Sequence, residues 1–164
     1  MKSCVFAGTF DPITAGHSAV IKKALLSYDK VYVVIGVNDK KTPLFSVEER
    51  LEFINKLFIG EKRVEVCFNA GLTVDFMKEK KVTDYIRGYR NNSDLIYERA
   101  AEKFNKSVYP ELNTRFIKAE DCEINVSSSL VKERLFNGES IDGLVPKEIE
   151  ADVIKAFGKI SKRI

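Results

Sequence analysis

Short apolar runs alternate with longer segments whose apolar positions recur at helical spacing, and this alternation continues down the chain. SCVFAG (3–8) reads as a strand, and GHSAVIKKALLSY (16–28) reads as a helix, with Ala19, Val20, Ala24 and Leu25 on one side. KVYVVIGV (30–37) is nearly continuous β-branched and apolar sequence, the look of a strand buried on both faces. SVEERLEFINKLF (46–58) is helical, with Ser46 as N-cap and Glu49 three residues on, a capping-box spacing. RVEVCF (63–68) predicts a strand, TVDFMKEKK (73–81) a helix and TDYIRG (83–88) a short strand. NSDLIYERAAEKFNKSV (92–108) predicts a long helix and TRFIKA (114–119) a strand. SSLVKERLFNG (128–138) predicts a helix stopped at Asn137-Gly138. A last helix over 146–160 carries Pro146 in its first turn.

Strands that alternate with helices imply a parallel sheet covered on both faces. The fold class expected is α/β, a Rossmann-like, doubly wound, five-stranded parallel sheet in one domain over 1–164. Ligands of such sheets bind outside the carboxyl ends of the strands. The segments at those ends are chemically distinctive: GTFDPITAGH after the first strand, NDKKTPLF after the second, NAGLT after the third, RGYRNN after the fourth and EDCEINVSSS after the fifth. Cations, glycines and hydroxyls gather on one sheet edge, which suits a phosphorylated ligand.

Composition adds limits. Hydrophobic residues make up 45% and charged residues 31% of 164, ordinary for a globular chain. A net charge of +3 is too small to suggest a nucleic-acid binder. The three cysteines, Cys4, Cys67 and Cys122, are scattered and lack CxxC spacing, which argues against a disulfide framework or zinc site and fits a reducing cytosol. No apolar run approaches the length of a membrane span or a signal peptide. The expectation is a cytoplasmic protein with no membrane partner.

The only histidine, His17, closes GTFDPITAGH. Gly8 permits a tight turn and close ligand approach as the chain leaves the first strand. Asp11-Pro12 reads as a turn former. Thr14 is a candidate N-cap that would place Gly16 and His17 in the first helical turn, where free amides and the helix dipole attract anions. Two readings of His17 remain: a donor to a phosphate oxygen, or a surface residue beside a structural turn. The dipole disfavours its protonated form and a bound phosphate favours it. No GxGxxG or GxxxxGK[ST] is present, so neither a dinucleotide dehydrogenase nor a P-loop enzyme is supported.

GTFDPITAGH, a lysine before Pro43, RGYR and VSSSLVKE occur in order over about residues 4–134. Together they resemble the motifs of the bacterial phosphopantetheine adenylyltransferases, in the T/HxGH nucleotidyltransferase superfamily. The resemblance implies transfer of the adenylyl group of ATP to 4′-phosphopantetheine, the penultimate step of coenzyme A biosynthesis, with Mg2+ carried by ATP and a homohexameric assembly. It implies a catalytic set of His17, Lys41 and Arg90. Thr9 and Phe10 would lie between the substrates, and His17 would contact the ATP phosphates. Lys41, Arg87 and Thr73 would bind the acceptor. Gly88, Tyr89, Arg90 and Glu98 would line the nucleotide site. Glu123, Ile124, Asn125, Val126, Ser127, Ser128 and Ser129 would embrace adenine and triphosphate. Attack would be direct and in line, with no covalent enzyme intermediate, and no protein metal ligand is implied.

Four positions depart from the family pattern: Ala7 replaces a common proline, Thr73 an apolar residue, Tyr89 a leucine and Glu123 an occasional aromatic. The rival readings are an adenylyltransferase for nicotinamide mononucleotide, a cytidylyltransferase, a nucleotide-binding regulator without catalysis, and a structural domain. Thr14 in place of the HxGH histidine points away from the cytidylyltransferases. A structural domain leaves the clustering at strand ends unexplained. Each chemical residue also has a plainer alternative: Lys41 as part of a solvated charge run, Arg87 and Arg90 as surface partners of Asp94 or Glu98, and the serines as a helix cap.

Overall fold

The structure is a computed structural model that describes residues 1–120, 123 and 125–163. Its elements run β1 (Ser3–Gly8), α1 (Ala15–Ala24), β2 (Lys30–Gly36), α2 (Val47–Leu57), β3 (Val64–Asn69), α3 (Thr73–Lys80), β4 (Asp84–Tyr89), α4 (Asn92–Val108), β5 (Asn113–Lys118), α5 (Ser128–Phe136) and α6 (Lys147–Ser161). The five strands form one sheet in the order β3-β2-β1-β4-β5, with every pairing parallel. The α/β doubly wound, Rossmann-like class is therefore the observed one.

The chain winds outward from β1 through β2 to β3, then crosses back to place β4 on the other side of β1. β1 and β4 thus flank the topological switch point, where such sheets open a crevice. Their pairing is short, from Cys4 opposite Asp84 to Phe6 opposite Ile86. Beyond it the two strands diverge, at Ala7 and Arg87.

The central strands are buried on both faces, which explains their unbroken apolar sequence. Cys4 and Phe6 of β1 and Val31, Val33 and Ile35 of β2 face a core shared with α1, α2, α5 and α6. Val5, Ala7 and Val34 point the other way, onto Val74 and Met77 of α3 and onto Tyr85, Tyr109 and Leu112. Burial of this kind contributes about 25 cal/mol per Å² and supplies most of the driving force.

Two helices differ from the sequence reading. α1 ends at Ala24 and not near residue 28. Its exit tightens into i→i−3 bonds from Leu26 to Lys23 and from Ser27 to Ala24. Tyr28 then turns inward, and its hydroxyl donates to Asp84 at 2.7 Å. Pro146 is the N-cap of α6 and lies just outside its first turn. Other signals are met as read: Ser46 and Glu49 form a reciprocal capping box, and Gly138 follows α5 with a φ of +70°. Among the described residues no helix is long and apolar enough to cross a membrane.

Candidate active site

A cleft of about 610 Å³ opens at the carboxyl ends of β1 and β4. Thr9, Phe10, His17, Lys41, Thr73, Arg87, Gly88, Tyr89, Arg90, Glu98, Glu123, Val126, Ser127, Ser128 and Ser129 all line it. Of the remaining candidates, Asn125 is exposed and outside the lining, and Ile124 lies outside the described residues, as does Cys122.

The floor begins where β1 ends. A Cβ on Gly8 would stand 3.2 Å from the Phe10 ring, so glycine lets that ring fold back under the strand. Phe10 takes a left-handed φ of +46°, uncommon for a residue with a side chain and a mark of functional turns. Its ring is buried and packs edge-on against His17, centroids 5.1 Å apart. Phe10 therefore offers a ligand its backbone, while its ring buttresses the imidazole.

His17 sits in the first turn of α1, with Thr14 as N-cap. The His17 amide donates to Thr14 Oγ1 at 3.3 Å, and in return the Thr14 amide donates to His17 Nδ1 at 3.1 Å. A backbone N–H can only donate, so Nδ1 is the acceptor and the neutral ring carries its proton on Nε2. Burial, then the charges of Arg87 and Arg90, lower its pKa from 6.5 to about 4. The site thus holds a neutral imidazole with one N–H left to donate, which makes it a weak base.

Each arginine from the end of β4 is held by an acid on α4. Arg87 Nε and Nη2 donate to the two oxygens of Glu98 at 2.6 and 2.8 Å, the bidentate fork that guanidinium suits. Arg87 Nη1 donates to the carbonyl of Ala7 and to Tyr85 Oη, both at 3.0 Å. Burial opposes this charge, but Tyr85 and Glu98 outweigh it and keep Arg87 above its ordinary pKa. The Arg87–Glu98 pair is half-buried, unlike an exposed surface pair, so its geometry is fixed. Arg90 donates through Nε and its backbone amide to Asp94 Oδ2 at 3.0 and 3.1 Å. Space at Gly88 between them is tight: a Cβ there would stand 3.2 Å from Val20 Cγ2.

The serines divide their work. Ser127 is the N-cap of α5, its hydroxyl oxygen accepting from the Leu130 amide at 3.1 Å. Ser128 donates to the Pro12 carbonyl at 2.8 Å, which commits its proton to the first motif. Ser129 is exposed at the cleft. Lys41 stands exposed on the loop after β2 and Thr73 opens α3, and both line the cleft.

Several residues that shape the site escaped sequence reasoning. Arg50 of α2 is 4% exposed and donates through Nη1 to the Thr9 carbonyl at 2.8 Å and through Nε to the Ser46 carbonyl at 3.2 Å. In VEERL it looks like one more charge on a solvated face. Asp11, read as a turn former, is a buried acceptor that takes bonds from the Leu44 and Phe45 amides. Tyr85 lies two residues before Arg87 on β4, so the strand period puts both on one face and brings its hydroxyl to the guanidinium.

The cytidylyltransferase-like family model matches residues 5–134. The phosphopantetheine adenylyltransferase of Leptospira biflexa is 39% identical over 158 residues, covering 96% of this chain and 99% of that protein. The namesake from Clostridium kluyveri is 39% identical over 162 residues, covering 99% of each. That of Clostridium botulinum strain 657 is 42% identical over 155 residues, 94% of each.

Proposed function

This chain belongs to the phosphopantetheine adenylyltransferase family, within the cytidylyltransferase-like fold, and we propose that it transfers the adenylyl group of ATP to 4′-phosphopantetheine. An oxygen of the acceptor phosphate attacks the α-phosphorus, and the bond to the β-phosphate oxygen breaks. Dephospho-coenzyme A and pyrophosphate result.

The observation that carries this reading is the gathering of hydrogen-bond donors and cations in the cleft. His17 presents Nε2–H, Lys41 and Arg90 present cations, and the first turn of α5 presents Ser129 and free amides. The acidic side chains Glu98 and Asp94 are tied to arginines. Nucleotidyl transfer needs this kind of site, because positioning and charge stabilisation do most of the work and no protein nucleophile takes part. The acceptor phosphate is largely ionised near neutral pH, so no strong base is required. The thiols of Cys4 and Cys67, raised by burial to about 12 and about 11, are unsuited to act as nucleophiles.

The residues take the following roles. Thr9 and the Phe10 backbone hold the junction of the substrates, and His17 donates to a nucleotide phosphate as charge builds in the transition state. Lys41 steers the acceptor phosphate, and Arg87, fixed by Glu98, lines the acceptor side. Gly88, Tyr89 and Arg90 face the nucleotide. Mg2+ arriving with ATP neutralises the triphosphate. The chain fits that arrangement, since Glu98 and Asp94 are engaged by arginines and Glu123 Oε2 accepts from the Glu120 amide at 3.3 Å, and among the described residues no carboxylate cage forms. A cytoplasmic homohexamer completes the proposal. α4 supports self-association: it buries none of its own residues and exposes Ile96, Tyr97 and Phe104.

The test is pyrophosphate release with Mg2+, ATP and a panel of acceptor phosphates. Turnover is expected with 4′-phosphopantetheine and little with nicotinamide mononucleotide. No release with any acceptor would leave a binding protein and overturn the reading.

A further inference from the structure

Asp11 is 4% exposed and is not among the residues that line the cleft. Its oxygens collect bonds from two other parts of the chain. Oδ1 accepts from the Phe45 amide at 2.9 Å, and Oδ2 accepts from the Leu44 amide at 2.9 Å and from Lys132 Nζ at 3.1 Å. Leu44 and Phe45 end the loop that carries Lys41, and Lys132 belongs to α5. Asp11 itself belongs to the turn between β1 and α1, so one carboxylate joins three walls of the cleft.

The loop before Leu44 has little else to hold it. Residues 38–43 are exposed, and the first fully buried side chain after β2 is Phe45. Lys41 therefore hangs three residues upstream of the anchor. On the other side, Ser128, one helical turn before Lys132, donates to Pro12, the residue after Asp11. The start of α5 and the Asp11 turn are thus fastened twice, once by a hydroxyl and once by an ion pair.

We propose that Asp11 is a positioning residue which ties the Lys41 loop to α5, so that a nucleotide seated on the first turn of α5 stiffens the loop that must present the acceptor. This rests on the reading of α5 as the nucleotide side of the cleft. Ordering one site lowers the entropic cost of ordering the other, and the two ligands then favour each other without a large movement. Lys132 is the link to remove. Losing it leaves both amide bonds to Asp11 in place, whereas a change at Asp11 removes every bond at once.

The experiment is amide hydrogen exchange of residues 38–46 with and without Mg-ATP, in the wild-type protein, Lys132→Met and Lys132→Arg. In the wild type, ATP should slow exchange at Leu44 and Phe45 by about tenfold, the size of one charge-assisted hydrogen bond. Lys132→Met should lose that protection while still binding ATP, and Lys132→Arg should keep it. In steady-state assays Lys132→Met should raise the KM of the acceptor more than it lowers kcat. A merely structural Lys132 would shift the melting temperature and leave ATP-dependent protection intact, and that result overturns the proposal. So does a wild-type loop indifferent to bound ATP. Protection by ATP without turnover of 4′-phosphopantetheine would instead overturn the functional reading and leave the coupling standing.

Discussion

The backbone amide of Thr14 donates to Nδ1 of His17 at 3.1 Å, and that bond decides which ring nitrogen faces the cleft with a proton. Because the donor is main chain, the tautomer survives loss of the threonine side chain. Thr14→Ala should cost about 1 kcal/mol of stability through the lost cap and should change kcat only slightly. His17→Ala should lower kcat by about 100-fold or more, the cost of one transition-state donor. An unchanged kcat in His17→Ala would remove the imidazole from the mechanism.

The lowered pKa of His17 sets a pH window. The unfolded chain takes up this proton near 6.5 and the folded chain near 4. Between those values the unfolded state binds more protons, so stability rises with pH across the window and is level above about 7 as far as this group is concerned. Denaturant titrations from pH 4.5 to 7.5 should show that slope in the wild type and a shallower one in His17→Gln. Parallel slopes would contradict a depressed pKa.

Arg50 holds the Thr9 carbonyl from behind the turn that bears Phe10. Arg50→Met leaves that half-buried carbonyl without its charged donor, a loss of about 1.5–3 kcal/mol. Part should appear as lower thermal stability and part as a fall in kcat, because the turn presents backbone to the reacting phosphates. A kcat unchanged at a temperature where the variant is folded would confine Arg50 to stability.

Glu98 and Lys41 make a contrasting pair. Glu98→Gln loses one oxygen of the fork under Arg87 and weakens its grip, so the acceptor KM should rise while ATP affinity, measured by calorimetry, stays close to wild type. Lys41→Ala should show the same split more strongly, since the lysine meets the acceptor phosphate directly. Weaker ATP binding in Glu98→Gln would make that carboxylate a nucleotide contact and not a support for Arg87.

The sequence by itself determined the order of elements, because the periodicity of apolar positions reports burial directly. The unbroken KVYVVIG needed a strand covered on both faces, and the Ser46–Glu49 spacing needed a helix start. It also determined the rim of the cleft, since residues that follow parallel strands end on one edge whatever the details of packing. His17, Lys41, Arg87 and Arg90 were legible for that reason. Only the tertiary structure decided who holds whom. Arg50 and Thr9 are 41 residues apart, and Asp11 and Lys132 are 121 apart. No local pattern reports a bond across such distances, so a buried arginine looked like a solvated charge and a buried aspartate looked like a turn. The tautomer of His17 needed both: the sequence placed Thr14 three residues before it, and only the folded turn aimed the amide at Nδ1.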